Sequence, residues 1–134
     1  MTDVNTILDN ATQWATESVT KPTIKTGQLH SLDMMTRGIV VRKIVSDDEL
    51  VGVVDRNRYS IDSHEIWSCG IVTMTSFADL EAIIQCIKRV LAEYTFTTTE
   101  NHLEWQGGDY IHFNNIRFQF QFGVVLKKSM IAEW

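Results

Sequence analysis

Between Arg117 and Lys127 the chain alternates so regularly that one secondary structure fits it: Phe118, Phe120, Phe122, Val124 and Leu126 share a parity, with Gln119, Gln121 and Gly123 between them. Side chains on a strand point to opposite faces in turn, so this segment is a strand with one apolar face. Such a face needs a covering layer. Residues 77–94 supply it, because Leu80, Ile83, Ile84, Ile87, Leu91 and Tyr94 recur at helical spacing while Glu81, Gln85, Lys88 and Arg89 fall largely opposite. Ser76, with Asp79 three positions on, gives this helix the form of a capping box, with Asp in the usual Glu or Gln place.

The remaining segments fit around that pair. Residues 3–19 set Val4, Ile7, Leu8, Ala11 and Trp14 at helical spacing, with Asp3 placed to cap the helix and the Lys21-Pro22 step to stop it. Residues 38–46 and 49–54 are β-branched runs on either side of Asp47-Asp48, which reads as a hairpin turning there, with a polar turn at 55–58. Residues 59–75 carry apolar side chains on both parities, as a central strand does, and Gly70 is the natural place for a bulge. Gly107-Gly108 is a turn signal between two further strands, and Asn114-Asn115 is a second. The order predicts an α+β fold: a mainly antiparallel sheet packed in two layers against one long helix in the C-terminal half and an N-terminal helix. With 134 residues, no repeat and no break in composition, the chain reads as a single domain over residues 1–134. Residues 20–37 match neither periodicity and read as an extended arm. A long unpatterned segment in a compact domain usually docks on something, which makes Pro22, Thr23, Ile24 and Leu29 the candidate residues of an oligomer interface.

The residues that carry chemistry are present but not arranged. Twelve Lys and Arg against seventeen Asp and Glu give a net charge of -5, which opposes binding to nucleic acid through its phosphates. No apolar run reaches the roughly eighteen residues a membrane-spanning helix needs, and residues 1–20 lack the pattern of a secretory signal. His30, His64, His102 and His112 show no metal-ligand spacing, although His102 and His112 flank Gly107-Gly108 and would face each other across a hairpin. Glycine-rich phosphate loops are absent. Asp55, Asp62 and Glu65, near Arg56 and Arg58, read as a solvated turn and strand edge rather than an acid-base pair. Cys69 and Cys86 lack CxxC spacing and read as free buried thiols. Trp105, Phe113, Phe118, Phe120 and Phe122 read as core rather than a base-stacking platform, because glutamines interleave with them instead of cations. The expectation is a protein without catalytic residues, cofactor or metal, acting through surfaces and edges.

The Trp14 helix, the arm beginning Lys21-Pro22-Thr23-Ile24, the strand YSIDSHEIWS at 59–68 and the helix after it follow an order that resembles small tail-terminator, tail-completion or neck-type proteins of tailed viruses. The resemblance implies a non-enzymatic virion subunit that closes the tail or joins tail to head. It implies as partners further copies of the same chain in a ring, a hexamer being one form, and neighbouring tail or neck proteins. The implied location is the virion, with host cytoplasm during assembly. The alternative is a stand-alone cytoplasmic enzyme or small-molecule-binding protein with an apolar pocket between sheet and helix, lined by Trp67, Trp105 and Tyr110.

Overall fold

The computed structural model describes residues 3–97, 101–113 and 115–134. Two short helices, α1 (Val4–Asp9) and α2 (Gln13–Thr16), precede strand β1 (Thr23–Thr26) and a 3-10 helix over Leu29–Met34. There follow β2 (Arg37–Val53), β3 (Arg58–Thr73), α3 (Phe77–Thr97), β4 (Asn101–Phe113) and β5 (Phe118–Glu133). The five strands form one sheet in the order β1-β2-β3-β5-β4. Only β1 and β2 run parallel; every other pair is antiparallel. This is the expected α+β arrangement, with β3 at the centre of the sheet.

Register sorts the side chains into two faces. Ile39, Val41, Trp67, Cys69, Ile71, Phe120, Phe122, Val124 and Leu126 turn toward Leu80, Ile83, Ile87 and Leu91 of α3, and Val4, Leu8 and Trp14 complete that core. Fully burying one such Leu, Ile or Phe side chain contributes about 1.5–3 kcal/mol, so this face dominates the stability. The opposite face has a smaller apolar cluster, Leu32 of the 3-10 helix on Val40 and Val72. The Ser76 hydroxyl accepts from the Asp79 N–H at 3.0 Å, as an N-cap should. The Asp79 carboxylate does not reach back to close the box. It accepts two bonds from Arg37, at 2.9 and 3.1 Å, and one from the Thr73 hydroxyl at 2.7 Å, tying the start of β2 and the end of β3 to the first turn of α3.

Several expected boundaries move. Residues 3–19 do not form one helix. The chain breaks at Asn10, whose backbone is no longer helical, and the Trp14 indole N–H donates at 2.7 Å to the Leu8 carbonyl, to which the break otherwise leaves a long bond from the Ala11 N–H at 3.5 Å. Asp3 stands at the N-cap position without a side-chain cap bond. Asp47-Asp48 is not a turn, because β2 runs straight through, with Asp47 opposite His64 and Asp48 opposite Ser63. The reversal lies at Val54–Asn57, where the Asp55 carboxylate accepts from the Asn57 N–H and from Arg58 Nε, each at 2.8 Å. Gly70 makes no bulge; it pairs regularly with Val40 and Gln121. The bulges are in β2, between Lys43 and Val45 and between Leu50 and Gly52. Likewise Gly107-Gly108 is a register shift within one strand, β4, rather than a hairpin. Gly108 must lack a side chain there, since a Cβ would stand 2.3 Å from the Gln121 carbonyl oxygen.

Candidate functional site

Residues 20–37 are not a loose arm. Thr23 to Thr26 pair with Gly38 to Val41, and the 3-10 helix lies over Gly70, where an added Cβ would come within 2.7 Å of Leu32 Cδ1 and 2.9 Å of Leu29 Cδ2. Arg117 closes the clasp by donating from Nη1 to the Met35 carbonyl at 3.2 Å and from Nη2 to the Leu32 carbonyl. Of the four residues singled out in the sequence, Pro22 is buried, Ile24 packs against the main core and Leu29 is half-buried over the sheet. Only Thr23 is exposed. The structure does not bring them together on one outward face. A four-residue strand is too short to show alternation, and the glycine that seats the leucines lies far away in sequence.

The groups with chemical potential are dispersed. Asp62 accepts from the Ser129 hydroxyl at 2.8 Å on the face away from α3. Glu65 is on the helix side and 1% exposed. Its Oε1 accepts from the Trp67 indole N–H at 3.2 Å, and its Oε2, which has no hydrogen bond, is 3.7 Å from Lys43 Nζ. Sequence reasoning placed Glu65 on a solvated edge and so missed this buried carboxylate; the indole two positions on along the same face was the available signal. Asp55, held below the ordinary carboxylate range by its bond from Arg58, belongs to the turn. These three carboxylates do not converge on a common point. His102 and His112 lie on the same strand, opposite Lys127 and Gln119, so they are not the cross-hairpin pair. Among the described residues, no group of three or more His, Cys, Asp or Glu is placed to hold a metal ion.

The cysteines are buried and unpaired. Burial pushes the Cys69 thiol up to about 12; burial and then the Glu17 carboxylate push Cys86 up to about 11. Both are thiols, not thiolates, at neutral pH. The aromatic row packs inward: Trp105 stacks on Phe122 at 4.4 Å, and Lys88 of α3 sits 5.0 Å above its ring. Tyr110 meets Phe120 at 5.1 Å, and Trp67 is 4% exposed. Of the three side chains assigned to a pocket between sheet and helix, Trp67 is buried and Trp105 half-buried in this packing, while Tyr110 is 47% exposed on the edge strand.

What is left over is surface. The core stops at Val41 on β2, Ser63 on β3 and Leu126 on β5 among the described residues. Beyond those points β2, β3 and β5 continue as a three-stranded ribbon that carries exposed Val53, Val54, Ile131 and Trp134, with Tyr59 against Trp134 at 4.4 Å. The β1 pairing ends at Val41 and the β4 pairing at Lys128, so among the described residues both margins of the ribbon leave backbone donors and acceptors without a neighbouring strand. On the face away from α3, next to the 3-10 helix, lies a groove of about 330 Å³ walled by Ile44, Ile66, Asp109 and Ile111 over a floor that includes Ser68 and Gly123. No family model matches the chain, and no curated protein does.

Proposed function

We propose that the protein is a non-enzymatic structural subunit of a tailed-virus virion, which closes the tail or joins it to the head by assembling into a ring with copies of itself. The observation that carries this reading is the ribbon beyond the core, with apolar side chains in water and both margins open. Apolar surface left exposed beside unpaired strand edges is surface built to be covered by another chain. The order of elements that resembles tail-terminator and neck-type proteins supports the same reading and supplies the partners, neighbouring tail or neck proteins. The raised thiols and scattered carboxylates fit a role without covalent or acid-base chemistry.

The test is the mass of the purified protein under native conditions, followed by electron microscopy of the particles. Closed rings of one defined size are the expected result. A species that stays monomeric up to the highest soluble concentration would refute the proposal. Immunogold labelling of purified virions would then place the ring at one end of the tail.

A further inference from the structure

We infer that the tip of the 3-10 helix and the groove on the open sheet face are two halves of one contact between successive copies of this chain, Met34 of one copy seating in the groove of the next. The inference rests on the ring reading and gives it an interface. Met34 is 90% exposed, the highest value among the large apolar side chains described. Its mount is rigid, because Leu32 is buried beneath it and Arg117 holds the carbonyls of Leu32 and Met35. An unbranched thioether on a fixed base suits an irregular apolar slot. The groove offers such a slot, with Ile44, Ile66 and Ile111 exposed along its walls at 58%, 40% and 47%.

Charge selects a second copy as the occupant. Asp33 stands exposed beside Met34, and Arg42, opposite the groove residue Ser68, stands exposed at the groove's rim. Neither has an ion-pair partner among the described residues. Asp109 occupies the other wall, so an incoming Asp33 is attracted to the Arg42 side and repelled from the far one, which fixes the orientation of the helix tip. The ring reading makes this contact head-to-tail rather than a reciprocal exchange within a two-fold dimer. Each copy then uses its projection on one neighbour and its groove on the other, and growth stops only when a ring closes.

Two exposed positions test this. Met34→Asp and Ile66→Asp, each with a thermal midpoint near that of the unmodified chain, should be monomeric by native mass spectrometry at concentrations where the unmodified protein is a ring. Mixed in equal amounts they should give a one-to-one dimer and nothing larger, since one sound projection and one sound groove remain. Asp33→Arg and Arg42→Asp should each weaken assembly at least tenfold, and the double reversal should restore it. Rings that persist in both aspartate variants, single variants that do not pair when mixed, or a double reversal without rescue would overturn this interface while leaving the ring reading standing. An unmodified protein that is monomeric throughout would overturn both.

Discussion

Asp79 joins three elements through one carboxylate, and its side chain is only 19% exposed. The Arg37 guanidinium, and then the Thr73 hydroxyl, hold its carboxyl below the ordinary value of 3.8. A depressed folded-state value means that the stabilisation is fully present above about pH 4 and disappears as pH falls through the folded value, because below it the group is protonated in the folded and the unfolded state alike and the charge that Arg37 favours is gone. Asp79→Asn should therefore cost about 1–3 kcal/mol at pH 7. Urea titrations repeated downward in pH should show the variant and the original chain converging in acid; a constant gap would mean that shape, not charge, is at stake. The thiols give a second expectation at this scale. With Cys69 up at about 12 and Cys86 at about 11, maleimide should leave the native protein unlabelled at pH 7 over hours and modify both cysteines in denaturant. Rapid labelling of native protein would show that the interval between sheet and α3 opens.

At the scale of elements, α3 contributes most, and Ile87, with no exposed surface, lies at the middle of its buried stripe. Ile87→Ala should cost about 2–5 kcal/mol in chemical denaturation, through lost burial and the cavity left behind; a loss under half a kilocalorie would mean the stripe is misplaced. That helix and β5 were legible in the sequence because each has one buried face, which imposes its period on the residues. The failures have the opposite cause. Along the ribbon neither face is buried by a helix among the described residues, so Asp47-Asp48 looks like a turn although it is strand. Gly70 and Gly108 were read as punctuation, yet each is small because something presses on it, Leu32 in one case and the Gln121 carbonyl in the other. The candidate interface suffered in the same way: Ile24 and Leu29 have too few neighbours in sequence to reveal that their partners are on distant strands. Glu65 was invisible as a buried group because burial depends on tertiary packing.

At the scale of the whole molecule, stability is concentrated at one end. The core end has α1, α2, α3 and the 3-10 helix packed on the sheet, while among the described residues the ribbon has strand pairing and a few side-chain contacts such as Tyr59 on Trp134. Amides from Tyr59 to Asp62 and from Ser129 to Glu133 should therefore exchange with solvent faster than those of Trp67 to Ile71 by at least tenfold in the isolated subunit, and slow on assembly. Uniform protection before assembly would remove the contrast on which the proposed role depends. The strand order has a further consequence, for synthesis. β5 is made last yet lies between β3 and β4, and β4 has no other strand beside it. A ribosome therefore delivers β3 with one side unpaired and β4 with no strand at all, and both wait until β5 slides between them. Arg58 pairs with Glu133 across most of the remaining chain, so this closure is slow compared with hairpin formation. Until then the nascent chain presents two unpaired margins, and the same strand chemistry proposed to build the ring is what early contact between unfinished copies would misuse.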